Sequence, residues 1–308
     1  MASYIGSATS RVDGRAKVTG EAKYAGEFNV PGLVHGYVVG STIAKGRVGR
    51  IDTADALRVP GVIDVLTHQH RPPMPDSDDA YKDDVAPEKG SPYRPLYDDR
   101  ILFNGQPVAL VLAEDWETAR FAASLVKVEQ QDEPHATDLH AQRGKAFAVE
   151  KPEKPRGNAE KAFAAADTRH EAEYFIPTEY HNPMELFAST AIWDGTKLVV
   201  YDKTQGVQNV QKYLCGVFEL QPDEVSVMSP YMGGGFGAGL RPQYQVVLSV
   251  LGARALKRPV RVVLDRAQMY GLGYRPATIE RLALGAKAGG TLDEIGRASC
   301  RERVCLLV

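Results

Sequence analysis

The sequence predicts an α+β fold, with a mixed α/β domain followed by a second domain of helices and strands. Three observations carry this prediction. Short apolar runs recur between turn signals, helix-like segments separate several of these runs, and a proline-rich charged stretch at 132–158 divides the chain. With 308 residues, 44% of them hydrophobic, the chain is long enough to form two cores.

The first domain is predicted to end at residue 131. It opens with a half-buried strand at 33–39, where apolar and small residues alternate. Its further elements are a helix at 53–57, strands at 62–66 and 108–112, a helix at 115–125 with Asp115 as N-cap, and a strand at 126–129. Proline and acidic residues fill 71–95, and this low apolar content predicts a mobile insertion.

The segment 132–158 is predicted to be a linker, and a second domain is predicted to occupy 159–295. The predicted elements of this domain are a helix at 159–166, a strand at 171–176, a hairpin of strands at 190–193 and 198–201, a helix at 207–220, a strand at 224–228, a helix at 243–255 and a strand at 260–264. The turn Asp194-Gly195 joins the two strands of the hairpin.

A glycine-rich loop, residues 229–239, separates the strand at 224–228 from the helix at 243–255. Glycine has no side chain to bury, so five glycines in this loop indicate close approach to its backbone. Exposed N–H groups there would bind a phosphate, a pyrophosphate or the oxygens of a metal cofactor. Two other interpretations stay open: a dinucleotide fingerprint at Gly233-x-Gly235-x-x-Ala238 with Asp265 as the ribose acid, and a tight turn for helix packing.

Composition narrows the classes of partner. The formal charge of -2 gives no basic field, so nucleic acid is not an expected partner. No apolar run is long enough to span a bilayer, and we expect neither a membrane association nor an export signal of the chain's own. The three cysteines have neither disulfide nor zinc spacing, and no protein-held metal is expected.

Several motifs resemble the large, molybdenum-binding subunit of the xanthine dehydrogenase and aldehyde oxidoreductase family. The first is the loop itself, Met232-Gly233-Gly234-Gly235-Phe236-Gly237. Four more follow the family's order, namely Arg11 to Ala25, Ile51 to Val62, Asn104 to Ala109, and His181-Asn182-Pro183-Met184-Glu185. The resemblance covers residues 11 to 294. It implies a hammerhead α/β domain at 11–131, followed by the first part of a molybdopterin-binding domain at 159–295.

This resemblance implies a molybdenum hydroxylase that oxidises aldehydes to carboxylic acids with water as the oxygen source. The sequence is most similar to the bacterial aldehyde-oxidising branch, which implies molybdopterin with molybdenum, in the cytosine dinucleotide form. It also implies an iron–sulfur partner subunit carrying 2Fe-2S clusters and a partner subunit carrying FAD. A cytoplasmic location is expected, or a periplasmic one if a partner with a signal exports the chain.

Site residues are carried over by matching motifs. Gln205 matches the glutamine that hydrogen-bonds an oxygen on molybdenum, a task that suits an amide because it donates without carrying a charge. The cofactor-binding residues would be Gly233, Gly234, Gly235, Phe236 and Gly237. Glu185 and Leu240 are assigned to the substrate pocket. Leu240 stands where purine-oxidising relatives carry a glutamate, which favours an aldehyde over xanthine.

Three departures from the family pattern limit the prediction. Leu186-Phe187 replace the usual proline and histidine after Glu185. The general base, a glutamate near the end of a subunit more than twice this length, has no counterpart here, so the chain alone is expected to be an inactive, C-terminally truncated fragment. Residues 296–308 resemble translated adaptor sequence and are interpreted as a non-native tail. An NAD(P)-dependent dehydrogenase and a non-catalytic subunit-assembly module are the alternative functions.

Overall fold

The computed structural model describes residues 5–86, 91–147, 157–271, 273–290 and 292–294. In chain order its α-helices are α1 (Gly14–Thr19), α2 (Ala54–Leu57), α3 (Trp116–Ala123), α4 (Leu139–Gln142), α5 (Ala159–Ala165), α6 (Val207–Phe218) and α7 (Tyr244–Leu256). Its strands are β1 (Val34–Gly40), β2 (Gly46–Asp52), β3 (Val62–Thr67), β4 (Arg100–Ile101), β5 (Pro107–Ala113), β6 (Lys127–Asp132), β7 (Thr168–Ile176), β8 (Glu179–Tyr180), β9 (Ala188–Trp193), β10 (Leu198–Asp202), β11 (Val225–Met228), β12 (Val260–Val263), β13 (Tyr274–Arg275), β14 (Thr278–Ala286) and β15 (Leu292–Glu294). Within these ranges, no helix has both the length and the apolar character to cross a membrane.

The chain divides into two compact units, and each is discontinuous in sequence. The first contains residues 1–133 and 181–273, and the second contains 134–180 and 274–308. A seven-stranded sheet in the order β11-β10-β9-β12-β1-β5-β3 forms the centre of the first unit. The sheet therefore joins strands from both sides of the predicted linker. The predicted boundaries at 131 and 158 stay predictions.

Strand β5 shows why this sheet has cores on both faces. Every residue of its sequence PVALVLA is buried, as expected for a central strand covered on both sides. Leu110 and Leu112 join the large core beneath α7, whereas Ala109 and Val111 pack with residues of α2 and α3. Successive side chains of a strand point to opposite faces, so one continuous apolar run serves two helical layers.

The strands next to the glycine loop place two segments at one edge of the sheet. β10 and β11 are parallel neighbours, with Leu198 paired to Val225 and Tyr201 to Met228. Their carboxyl ends therefore lie side by side. Residues 203–205 leave β10 at this edge, and the glycine loop leaves β11. This topology brings Gln205 to the loop.

The prediction of a mobile insertion at 71–95 is wrong for the part that the structure describes. Tyr81, which is 2% exposed, belongs to the main core, and Met74 and Tyr93 pack against that core. The hydroxyl of Tyr81 donates to the carbonyl of Pro75 at 2.9 Å. Composition missed this because a few aromatic side chains anchor a segment whose other residues are polar.

The second unit contains a three-stranded antiparallel sheet in the order β15-β14-β7. β7 pairs with β14 along its whole length, from Thr168 opposite Ala286 to Ile176 opposite Thr278. Strand β7 was predicted, and β14 was not. β8 and β13 form a separate two-stranded pair.

Candidate functional site

Gln205 is held by the backbone of the glycine loop. Its side-chain oxygen Oε1 accepts from the amide of Gly237 at 3.1 Å and from the amide of Gly239 at 3.2 Å. Both partners are donors, so the oxygen must face the loop, and this fixes the orientation of the amide group. The side chain is exposed. Its NH₂ group, Nε2, is left as a donor that no acceptor in the described ranges takes.

Glycine at position 235 makes room for this arrangement. A Cβ atom on Gly235 would lie 2.5 Å from Cδ of Gln205 and 2.6 Å from its Oε1, closer than real Cβ contacts. The loop then turns tightly, with the amide of Ala238 donating to the carbonyl of Gly235 at 2.8 Å. Phe236 and Gly237 have φ of 51° and 88°, in the left-handed region that favours glycine. Phe236 adopts this conformation, and the residue is 70% exposed.

Three consecutive amides of the loop have no acceptor in the described part of the chain. They belong to Gly234, Gly235 and Phe236, whereas the amides of Gly233, Gly237 and Gly239 are taken by side chains. The anion-binding cradle expected from the sequence is therefore partly filled by the chain's own oxygens. Gly235 is itself buried, and a buried N–H group requires a partner.

Glu185 lies beneath the first glycine of the loop. Its Oε2 accepts from the amide of Gly233 at 2.6 Å, and a Cβ on Gly233 would meet Cβ of Glu185 at 2.8 Å. Oε1 is buried and has no partner among the described residues. Burial raises the pKa of Glu185, against the lowering effect of the Gly233 amide and of Lys203. This position makes Glu185 a support of the loop.

Two buried charged residues in the segment leading to Gln205 were missed by the sequence analysis. Asp202 and Lys203 are each 1% exposed. Asp202 accepts from the hydroxyl of Ser189 and from the amide of Gln245, and burial raises its pKa to about 6. Adjacent opposite charges at the end of an apolar strand were the only available signal.

Leu240 follows the loop and is 46% exposed. Its carbonyl accepts from the side-chain amide of Asn209 at 3.1 Å, and the next residue, Arg241, pairs with Asp83 at 2.7 Å. The side chain of Asp83 is 5% exposed, and the amide of Asp84 donates to Asn209 at 2.9 Å. The insertion thus fixes the backbone that carries Leu240.

Two protein families match the chain. Residues 19–134 match the a/b hammerhead domain of aldehyde oxidase and xanthine dehydrogenase, and residues 139–297 match the molybdopterin cofactor-binding domain. The aldehyde oxidoreductase molybdenum-binding subunit PaoC of Escherichia coli K12 is 35% identical over 96% of this chain. The chain belongs to the aldehyde oxidase and xanthine dehydrogenase family. The predicted resemblance and α+β fold class, a hammerhead domain followed by a molybdopterin-binding domain, are confirmed.

Other family members show the same relation at greater distance. The xanthine dehydrogenase molybdenum-binding subunit of Escherichia coli O157:H7 is 28% identical over 84% of this chain and 36% of its own length. The solved aldehyde oxidoreductase from Desulfovibrio gigas superposes with a TM-score of 0.75 at 25% identity, over 92% of this chain and 33% of that one. The chain spans 40% of the length of PaoC. The two Escherichia coli relatives are named as molybdenum-binding subunits of an aldehyde oxidoreductase and of a xanthine dehydrogenase, and this chain is similar to a part of each.

The family fold also bears on the dinucleotide interpretation of the loop. In a dinucleotide-binding unit the strand after the helix lies next to the strand before it. Here β12 follows α7 but lies between β9 and β1, and both β10 and β9 separate it from β11. Asp265, the candidate ribose acid, accepts from the amide of Gln268 and from the hydroxyl of Tyr37. The geometry therefore gives the fingerprint no support.

Proposed function

We propose that the chain is part of a molybdenum hydroxylase that oxidises aldehydes to carboxylic acids with oxygen from water. The observation that carries this proposal is the side-chain amide of Gln205, which the loop amides of Gly237 and Gly239 hold and whose Nε2 has no acceptor in the described ranges. An oxygen of a cofactor bound beside the loop would supply the acceptor for this donor. The similarity to PaoC, named an aldehyde oxidoreductase subunit, supports the choice of substrate.

The residues present fit a molybdopterin cofactor. The unpartnered amides of Gly234, Gly235 and Phe236 lie in one run, and with Nε2 of Gln205 they form a set of donors for oxygens of the cofactor. In the described ranges, no three His, Cys, Asp or Glu side chains are grouped so that they could hold a metal ion. A metal carried by its own pterin needs no such ligands.

When bound, this cofactor supplies the two-electron redox chemistry of hydroxylation. The chain's residues supply binding and orientation. Gln205 would donate a hydrogen bond from Nε2 to an oxygen of the cofactor, and the amides at 234–236 would position the group against the loop. Phe236 and Leu240, exposed apolar side chains at either end of the turn, would contact the substrate and exclude water. Glu185 would act from beneath, by holding Gly233.

Further parts of the enzyme are proposed from the family. The general base lies in the portion of the subunit that this chain does not span. The cytosine dinucleotide form of the cofactor, a 2Fe-2S subunit and an FAD subunit complete the proposed electron path. Several curated relatives are named as subunits of larger enzymes, among them the 6-hydroxypseudooxynicotine dehydrogenase complex subunit gamma of Paenarthrobacter nicotinovorans, which supports partner subunits for this one.

Metal and pterin analysis of the full-length protein tests the proposal. We expect molybdenum and a fluorescent pterin in equal amounts, and aldehyde-dependent reduction of an electron-accepting dye. Stoichiometric binding of a nicotinamide cofactor without molybdenum would refute the proposal in favour of the dehydrogenase. Recovery of iron–sulfur and flavin subunits with no molybdenum would instead indicate the assembly module.

A further inference from the structure

A buried lysine, Lys203, and a half-buried glutamate, Glu185, lie in the segments that hold the glycine loop, and each has a buried atom that lacks a hydrogen-bond partner among the described residues. Nζ of Lys203 and Oε1 of Glu185 are both buried, and neither has an acceptor or donor in the part of the chain that the structure describes. Lys203 as a whole is 1% exposed, and its Nζ lies 4.2 Å from the centre of the Phe187 ring. Isolated buried charges are costly, so this pair requires an explanation.

Each of the two groups favours the charged form of the other. Burial lowers the pKa of Lys203, and the charges of Glu185 and Asp202 raise it. Burial raises the pKa of Glu185, and Lys203 lowers it. Both hydrogen bonds that the remaining acid, Asp202, accepts, from Ser189 and Gln245, end on its Oδ1. Glu185 has the larger effect on Lys203, and its buried Oε1 has no donor in the described ranges, although the two side chains form no direct ion pair there.

Glu185 transmits this interaction to the loop. Its other oxygen, Oε2, accepts from the amide of Gly233 at 2.6 Å. Gly233 directly precedes the unpartnered amides of Gly234, Gly235 and Phe236. Gln205 holds the other end of the turn, at Gly237 and Gly239. These amides, which have no acceptor among the described residues, thus lie between two side-chain anchors, and the first anchor, Glu185, is the acid with the larger effect on Lys203.

We propose that Lys203 is a positioning residue for the cofactor-binding loop, whose charge stabilises the ionised, half-buried Glu185 carboxylate that holds the Gly233 amide. The inference rests on the proposed function only in treating this loop as a wall of the cofactor site. Lys203 orders the loop through Glu185 whether or not a cofactor is bound. No acid–base step is assigned to either residue.

Hydrogen exchange of the full-length protein, followed by mass spectrometry, measures the order of the loop directly. Lys203→Met removes the ammonium and keeps an unbranched apolar side chain of similar size. We expect exchange of the Gly233 amide, followed in peptides from 229–236, to accelerate about tenfold to a hundredfold, the equivalent of losing one hydrogen bond to a charged group. Exchange in β9 and α7 should be unchanged. Lys212→Met is the matched control, since Lys212 is 72% exposed and pairs with Asp84 at the surface.

A double-mutant cycle separates positioning from general destabilisation. Glu185→Gln keeps an acceptor for Gly233 but removes the charge, so adding Lys203→Met to Glu185→Gln should accelerate loop exchange less than twofold further. This pair of variants also carries the test if Lys203→Met alone does not fold. Loop exchange equal to that of the Lys212→Met control, acceleration spread evenly over the core strands, or full additivity in the cycle would each overturn the proposal.

Cofactor content distinguishes this proposal from the proposed function. A parent protein that contains molybdenum, together with unchanged loop exchange in Lys203→Met, would refute only the role of Lys203. A parent protein without molybdenum, together with a selectively loosened loop, would refute only the proposed function. If both proposals hold, the Lys203→Met protein should retain less molybdenum after dialysis than the Lys212→Met protein.

Discussion

Replacing Gly235 by alanine tests whether the loop and Gln205 form one unit. The added Cβ would lie 2.5 Å from Cδ of Gln205, and such an overlap requires something to move. Because the end of the Gln205 side chain is flexible and exposed, we expect it to rotate away from the loop. That movement breaks its hydrogen bonds with the amides of Gly237 and Gly239.

The expected loss of stability is modest. Gly239 is buried, and an unpaired buried amide costs about 1–3 kcal/mol. Gly237 is exposed, so water replaces its lost partner at little cost. The free energy of unfolding should therefore fall by about 1–3 kcal/mol, which leaves the protein folded. Turnover should fall far more, because the displaced Nε2 no longer meets the cofactor.

Gly239→Ala provides the matched control. Its added Cβ would lie 3.5 Å from the nearest atom of Gln205, an ordinary van der Waals distance. We expect a change in unfolding free energy of about 0.5–1 kcal/mol and nearly normal turnover. Urea denaturation and steady-state aldehyde oxidation of the full-length, cofactor-loaded protein measure both quantities. Equal turnover in Gly235→Ala and Gly239→Ala would refute the assigned role of Gln205.

Three further predictions follow from the site and its surroundings. Gln205→Glu keeps an acceptor for both loop amides but loses the NH₂ donor. The stability of this variant should match that of the parent protein, while its turnover should fall as far as that of Gln205→Ala. A fully active Gln205→Glu protein would contradict the need for a donor. Asp83→Ala removes the nearly buried partner of Arg241, so it should lower the unfolding free energy by about 1–2 kcal/mol and raise KM through movement of Leu240. Asp84→Ala, at an exposed ion pair, should lower the unfolding free energy by less than about 1 kcal/mol. Equal effects of the two substitutions would contradict a role of Asp83 in fixing the backbone of Leu240. Burial raises the pKa of Asp202 from 3.8 to about 6, so the folded state binds this proton more tightly than the unfolded chain does, and the contribution of Asp202 to stability falls as pH rises from about 4 to about 6. Asp202→Asn should remove roughly 2–3 kcal/mol of this pH dependence. Identical pH profiles of the two proteins in urea denaturation would contradict the assignment.

Local pattern predicted most elements of the fold. The helices at 207–220 and 243–255 and the strands at 62–66 and 108–112 lie within two residues of α6, α7, β3 and β5. The side chain of Asp115 accepts from the amide of Thr118, as expected of an N-cap. β2 was missed because its sequence GRVGRID contains glycine and arginine and alternates only weakly. Periodicity detects strands with one apolar face, and this strand lacks a clear one.

The site was predictable only where chemistry is local. The glycine loop indicated an accessible backbone. That Gln205 and Glu185 accept from some of its amides depends on contacts between residues far apart in sequence. The burial of Lys203 could not be read from the sequence, because lysine at a strand end is usually solvated. The docking of 71–86 was hidden for a similar reason. Tertiary contacts decide all three, and single-sequence patterns do not record them.

The position of β1 in the sheet has a consequence for synthesis of the chain on the ribosome. β1 lies between β5, which is made shortly after it, and β12, with Val34 opposite Val260. Until β12 emerges, one edge of β1 has no strand to pair with, and open edges invite association with other chains. The nascent N-terminal half is thus exposed to aggregation throughout the synthesis of the intervening residues, and a piece that stops at residue 131 would keep that edge permanently.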